Sequence, residues 1–271
     1  MTESQSSRSQ SSIRATVCQL PPGGPDFEAA WRGLCSHVAD QGSDLVLLPE
    51  MPFHEWLART ADVDAERWGD AVEAHDRWLA RLGELGASVV VGSRPVGDRE
   101  RRNRAFVWTL AGPRDLHDKV YLPNEDGFWE ATWYDRGEPA YEVTTVSIGG
   151  RELQFGVLLC TELWFLEHAR AYGRGGAQLL LVPRATPRST LQKWIVGGKA
   201  AAVVSGAYTL SASCAEPGSG ELDLGGGSLA VNPDGELLGA TSESEPWITI
   251  EIDLEAANRA KETYPRYVPE A

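Results

Sequence analysis

Cysteines are few in this sequence, and they are scattered. Cys18, Cys35, Cys160 and Cys214 form no Cys-x-x-Cys pair and belong to no Cys/His cluster. That pattern argues against a metal site and against a small disulfide-stapled scaffold. Long apolar runs are missing too, since no stretch approaches the roughly 20 residues that a membrane-spanning helix needs. Residues 1–12 are rich in Ser and Gln and lack the apolar segment of a secretory signal. They are expected to form a disordered tail, and the protein is expected to be cytoplasmic. Positive charge is also short: 25 Lys and Arg stand against 39 acidic residues, a formal net charge of −14. Nucleic acid and anionic membranes both demand basic patches, so neither is expected as a partner. No Pro/Ser-rich linker interrupts the chain after residue 12. Residues 13–271 therefore read as a single domain with ample material for a core.

What the chain does have is a set of buried-looking strands that stop at chemically useful residues. The apolar run Phe155-Gly156-Val157-Leu158-Leu159 ends abruptly at Cys160-Thr161-Glu162. Such a run reads as a strand buried on both faces, and its carboxyl end lies at the sheet rim where α/β folds place ligands. Residues 44–48 form a second short buried strand, halted by Pro49-Glu50-Met51-Pro52, whose prolines deny the backbone further ladder bonds. A third strand-like piece, residues 116–120, carries His117-Asp118-Lys119-Val120. Three strand ends thus supply a carboxylate (Glu50), an ammonium (Lys119) and a thiol (Cys160). A cysteine is only a few per cent thiolate at neutral pH, so a nucleophilic thiol needs a base or a nearby cation.

The remaining chain alternates helices and strands. Strands are expected over residues 13–20, 87–93, 104–110, 141–148, 152–159, 178–182, 208–212, 228–231 and 248–252. Helical spacing marks residues 27–38, with Asp26 as a candidate cap, then about 65–85, 166–174, 191–205 and a short stretch from 254. The charged segment 97–103 reads as a surface hairpin loop, Gly149-Gly150 as a second hairpin turn, and residues 264–271 as an extended arm. The fold class is α/β. Strand–helix–strand–acid in the first half and strand–thiol–helix–strand in the second suggest two face-to-face sheets covered outside by helices, an α-β-β-α sandwich.

Leu47-Leu48-Pro49-Glu50, then His117-Asp118-Lys119-Val120-Tyr121-Leu122-Pro123, then Leu159-Cys160-Thr161-Glu162-Leu163-Trp164-Phe165 resemble, in order, the three signatures of the nitrilase superfamily of carbon–nitrogen hydrolases. The resemblance runs from about residue 13 to 254. It implies a four-layer α-β-β-α sandwich of two mixed sheets that pairs into a homodimer or larger homo-oligomer. It also implies Glu50 as general base, Lys119 as oxyanion stabiliser, Cys160 as nucleophile and the Thr161 N–H as second oxyanion donor. Trp129-Glu130-Ala131-Thr132-Trp133-Tyr134 is similar to the family's Glu-Lys-x-Tyr-Phe segment and puts Glu130 at its second glutamate, with Ala131 in place of the usual lysine. The reaction implied is hydrolysis of a small amide or N-carbamoyl compound through a thioester, with neither metal nor cofactor. Nitrile hydrolysis, acyl transfer to an amine and a non-catalytic scaffold are the alternatives.

Trp164-Phe165 followed by Glu167 and Ala169-Arg170 is most similar to the N-carbamoylputrescine-type amidases, with Leu166 in place of a proline. That leans toward amide or N-carbamoyl substrates. Ala201-Ala202-Val203-Val204-Ser205 departs from the family's Arg-Ala-x-Glu-Asn, so no particular substrate transfers. Arg184 is expected near the pocket, either gripping a substrate carboxylate or paired with one of the many acids. Phe53, Trp129, Trp133 and Trp164 are candidate pocket walls, while His54 and His117 read as structural.

Overall fold

The computed structural model describes residues 11–97, 99–216 and 222–269. The first half of the chain contributes β1 (Ser12–Leu20), α1 (Phe27–Gln41), β2 (Leu45–Leu47), α2 (Ala65–Leu79), β3 (Val89–Val96), β4 (Arg102–Thr109) and β5 (Gly112–Asp118). A four-residue α3 (Glu130–Trp133) follows. The second half contributes β6 (Thr144–Ile148), β7 (Arg151–Val157), α4 (Leu166–Arg174), β8 (Leu179–Arg184), α5 (Leu191–Ser205) and β9 (Tyr208–Cys214). After them come β10 (Leu229–Val231), β11 (Leu237–Ala240), β12 (Trp247–Asp253) and α6 (Leu254–Ala260).

Hydrogen bonding runs β5-β4-β3-β2-β1-β9-β8-β7-β6, with β12 beside β1, β10 beside β9 and β11 beside β10. β1 belongs to both halves. Its residues Ala15, Thr16 and Val17 pair in parallel with β2, whereas Gln19 and Leu20 pair in parallel with Ser213 and Cys214 of β9. From that strand two mixed sheets diverge and pack face to face. Ile13, Ala15, Val17, Leu47 and Val91 from one sheet meet Phe155, Val157, Leu181 and Leu210 from the other. The alternate residues turn outward: Cys18, Leu20, Val46, Leu48 and Val90 pack on Phe27, Trp31 and Leu34 of α1. On the other sheet, Leu158, Leu180 and Val182 pack on Ala169 and Tyr172 of α4 and Trp194 of α5. Strands sandwiched between a sheet and a helix are apolar on both faces, which is why they read as unbroken runs. Each fully buried large aliphatic side chain contributes about 1.5–3 kcal/mol. The result is the expected four-layer α-β-β-α sandwich.

Local differences have physical reasons. Asp26 stands at the start of α1 without a side-chain capping bond. Asp64 is the carboxylate that caps, accepting the N–H groups of Glu66 and Arg67 at the start of α2. The helical stretch expected to 85 ends at Leu79 and resumes as a 3-10 turn, Leu82–Leu85, closed by Gly86 at φ 69°. Glycine takes that left-handed conformation without steric cost. Ser12, expected in the tail, is buried in β1 opposite Asp253; the rest of the tail, up to residue 10, lies outside the described residues. Residues 264–268 form turns instead of an extended arm, with the N–H of Tyr267 bonded to the Thr263 carbonyl and that of Val268 to the Pro265 carbonyl. β11 was not expected, because Leu237-Leu238-Gly239-Ala240 is too short to show alternation. Among the described residues, no helix is long and apolar enough to cross a membrane.

Candidate active site

β2 delivers Glu50 to the edge of its sheet, and the chain turns at once through Met51 at φ 43°. The turn is held from both sides. The Glu50 N–H reaches the Arg184 carbonyl at 3.4 Å, the Cys214 thiol donates to the Glu50 carbonyl at 3.4 Å, and the Met51 N–H reaches Ser93 Oγ at 3.2 Å. Just past β5, the Lys119 N–H donates to the Asn103 carbonyl at 2.8 Å. That bond brings the Lys119 side chain inward, where Nζ lies 2.7 Å from Glu50 Oε1 and 2.6 Å from Glu130 Oε2. Asn103 Nδ2 donates to the same Glu50 oxygen at 2.8 Å. All four side chains are buried. The second oxygens, Glu50 Oε2 and Glu130 Oε1, have no hydrogen-bond partner among the described residues.

Two carboxylates around one ammonium fix the electrostatics. Burial works against the Lys119 charge, but Glu130 and Glu50 outweigh it and hold the lysine well above its ordinary pKa. Burial raises the Glu130 carboxyl to about 8; Lys119 opposes that rise and Glu50 adds to it. The ammonium is therefore permanent at neutral pH, and Glu130 is the group within reach of titration.

β7 and the residues after it deliver Cys160 to the same region from the other sheet. Gly156 in β7 lies against the Tyr172 ring, where a Cβ would collide. Beyond β7 the chain reverses into a 3-10 helix, Cys160–Trp164, with Cys160 itself at φ 49°. A non-glycine residue held there costs roughly 1–3 kcal/mol and persists only where its surroundings enforce it. The N–H of Thr161 stands in the first turn, among the groups that lack an intrahelical acceptor. Burial pushes the Cys160 thiol up; Glu50 and Glu130 add to this, and Lys119 and the Ala185 backbone offset it in part. Burial and the neighbouring carboxyl groups thus favour the neutral thiol, and Lys119 opposes them.

Cys160, Thr161 and Glu130 line a cavity of about 290 Å³. Its walls include Pro123, Phe128, Ala185, Pro187, Trp164 and Trp194, and Glu125, Thr186, Thr190 and Lys193 complete the lining. Trp164, 43% exposed, meets Trp194 with ring centroids 5.1 Å apart. Of the four aromatic residues expected as walls, Trp164 alone is one. Phe53 is core, packed on Phe27, Trp31 and Trp78. Trp133 is buried, its indole N–H donating to the Thr60 carbonyl at 2.6 Å. Trp129 packs on the cluster around Met51 and Trp56.

The expectation that Arg184 faces the pocket, or pairs with an acid, fails in both forms. Its guanidinium is buried and its donors are spent on neutral acceptors: Ser211 Oγ at 2.9 Å, Ser213 Oγ at 3.0 Å, Thr186 Oγ1, and the carbonyls of Gly226 at 3.2 Å and Gly227 at 2.5 Å. Burial lowers it to about 10, and the Cys160 and Cys214 thiols resist that fall. Arg184 fastens β8, β9 and the glycine turn together behind the cavity.

Asn103, Phe128, Trp194 and Glu162 escaped sequence reasoning. Asn103 falls in the stretch that reads as a surface loop, yet it is buried in β4; an amide between Arg102 and Arg104 gives no sign of facing inward. Phe128 and Trp194 reach the cavity from a loop and a helix whose apolar residues look like ordinary core. His117, read as structural, hydrogen-bonds Glu162 at 2.8 Å, and His54 is bonded to the Glu55 carbonyl. Among the described residues, no group of three or more His, Cys, Asp or Glu side chains could hold a metal ion.

The carbon-nitrogen hydrolase family model matches residues 14–262. The chain belongs to this family. A carbon-nitrogen hydrolase of Helicobacter pylori has the same fold, with a TM-score of 0.80 at 21% identity over 96% of this chain and 95% of that one. Among curated sequences, the hydrolase in the agr operon of Staphylococcus lugdunensis is 28% identical over 83% of this chain and 94% of its own. A mutant amidase from Nesterenkonia sp. AN1, with the acetamide moiety of fluoroacetamide added covalently at its active-site cysteine, is 26% identical with a TM-score of 0.72, covering 94% of this chain and 95% of that one. This carbon-nitrogen hydrolase thus has amidases of the nitrilase superfamily among its relatives.

Proposed function

We propose that this carbon-nitrogen hydrolase cleaves the C–N bond of a small amide or N-carbamoyl compound through a thioester on Cys160. One observation carries the reading. Lys119 and Asn103 both hold Oε1 of Glu50, while Oε2 has no protein partner among the described residues; burial, with Glu50 next, favours the neutral thiol at Cys160. A neutral nucleophile needs a base, and the free oxygen is that base.

Cys160 Sγ attacks the carbonyl carbon as Glu50 Oε2 takes the thiol proton. The oxyanion that forms is met by the Lys119 ammonium and the Thr161 N–H, a kind of stabilisation worth about 3–4 kcal/mol per donor in such sites. Glu50 returns the proton to the nitrogen, the C–N bond breaks, and ammonia or an amine leaves. Water then gives its proton to Glu50 and attacks the thioester; the carbonyl re-forms, sulfur leaves and regains the proton. Glu130 holds the far side of Lys119 and keeps its charge in place. The cavity's size and its largely apolar wall suit a compact, apolar acyl group that lies against Trp164, Trp194 and Phe128. We further infer that the chain forms a homodimer or larger homo-oligomer in the cytoplasm; sizing of the purified chain checks the assembly.

The test is ammonia release from a panel of small aliphatic amides, N-carbamoyl compounds and nitriles. Wild type should release ammonia from amides or N-carbamoyl compounds without an amine acceptor, and a folded Cys160→Ala variant should release none. Activity confined to nitriles, dependence on an acceptor, or turnover by the variant would refute the reading.

A further inference from the structure

The chemistry above leaves one buried carboxylate beside the nucleophile unused. Glu162 lies in the 3-10 helix Cys160–Trp164, and its two oxygens accept four hydrogen bonds. Oε2 takes the Leu159 N–H at 2.7 Å and His117 Nε2 at 2.8 Å; Oε1 takes the Val120 N–H at 2.9 Å and the Tyr141 hydroxyl at 3.2 Å. Leu159 immediately precedes Cys160, and Val120 immediately follows Lys119. One side chain therefore joins the backbone of the thiol segment, from one sheet, to the backbone of the lysine segment, from the other. Burial pushes Glu162 up, but His117 and the two N–H groups outweigh it and keep the carboxyl below its ordinary range.

We propose that Glu162 is a positioning residue that fixes the strained Cys160 turn relative to Lys119, so that sulfur and ammonium keep the separation the oxyanion requires. This rests on the roles given above to Cys160 and Lys119. Glutamine in its place is isosteric but cannot do the same work. An amide has one oxygen and one NH2. Whichever way that amide turns, its NH2 faces either the Leu159 or the Val120 N–H, and a buried backbone donor is left without an acceptor. His117 can change tautomer and the Tyr141 hydroxyl can rotate; a backbone N–H can do neither. Displacing a reacting group by about 1 Å can cost on the order of 100-fold in rate.

Three readouts on Glu162→Gln and Glu162→Asp test this: kcat and KM on an amide found active in the panel, the rate of iodoacetamide alkylation mapped to Cys160 by mass spectrometry, and the urea midpoint. The expected result for Glu162→Gln is a kcat lower by roughly 10- to 100-fold with KM within about threefold, and slower alkylation, because the sulfur no longer sits against its base. Glu162→Asp, which keeps the charge on a shorter stem, should fall between. Mere loosening of the fold would instead expose the sulfur and speed its alkylation, which would overturn the positioning role. A folded Glu162→Gln with kcat and alkylation unchanged overturns the proposal. Should that variant not fold, Glu162→Asp decides, and an unchanged kcat there overturns it equally. Turnover surviving in Cys160→Ala sinks the site reading and this proposal together; turnover lost there but intact in Glu162→Gln sinks only this one.

Discussion

The two halves of the sandwich end at the same place and do different things there. Each sends a strand to the common edge and breaks it in the left-handed region, at Met51 on one side and at Cys160 on the other. The first half, through Glu50, Asn103 and Lys119, builds a buried cluster in which the donors are aimed and one carboxylate oxygen has no protein partner among the described residues. The second half, through Cys160, Thr161, Trp164, Ala185 and Trp194, builds the wall of the cavity. Glu130, from the segment between them, belongs to both. In our account proton and charge handling is assigned to one sheet and substrate contact to the other, so variants on the two sides should fail differently.

The largest expected effect is on the charge side. Lys119→Met removes the ammonium from between two buried carboxylates. It should lower kcat by roughly 100- to 1000-fold, in line with the loss of an oxyanion donor, and destabilise the fold because the carboxyl groups lose their partner. Steady-state kinetics and urea unfolding measure the two losses. A variant that kept a tenth of wild-type kcat would break the division. On the substrate side, Trp194→Ala takes away a wall without touching a reacting atom. KM should rise by roughly 10-fold, about 1.4 kcal/mol, with kcat nearly unchanged. A loss confined to kcat would place the indole with the chemistry instead.

The smallest expected effect is a pH dependence of stability from Glu130. Its folded pKa, about 8, lies above the ordinary carboxyl value of 4.5, so the native state binds the proton more tightly than the unfolded chain. Its contribution to stability is then fully present below pH 4.5 and is lost as the pH rises toward 8. His75, lowered to about 3 by burial, has the opposite slope, but only below its unfolded pKa of 6.5. Lys119, with its pKa raised, contributes a constant term until the pH passes its unfolded value. Lys261, lowered to about 8 by burial, adds a rising slope near the top of the same range, so between pH 6.5 and 8 it is the difference between wild type and a Glu130 variant that isolates Glu130. Across that range the urea midpoint of wild type should fall relative to that of Glu130→Gln; equal slopes would remove the carboxyl from the account.

Much of this was legible from the residues. Strands buried on both faces show as apolar runs, and their abrupt polar ends marked Glu50, Lys119 and Cys160; the structure brings the three together. The substrate side was harder to read. Phe53, Trp133 and Trp194 are all large aromatic residues beside or among apolar neighbours, and only the packing decides which face the cavity. Arg184 reads either as a ligand-binding cation or as the partner of an acid because it ends a strand near the nucleophile; that its donors are met by serine hydroxyls and two glycine carbonyls depends on β9 and a turn about 40 residues away. Asn103 and Glu162 are bonded to residues more than 40 positions off, and such pairings leave no local pattern.

The central claim is that sulfur from one sheet forms a bond to substrate while the other sheet manages the proton. Its most direct test is acid quench of the enzyme during turnover of an active amide, followed by mass measurement of the peptide that contains Cys160. The account predicts a gain equal to the acyl group on Cys160, reached as one equivalent of ammonia is released. Ammonia released at full rate with Cys160 unmodified at every quench time, and equal turnover by Cys160→Ala, would contradict it.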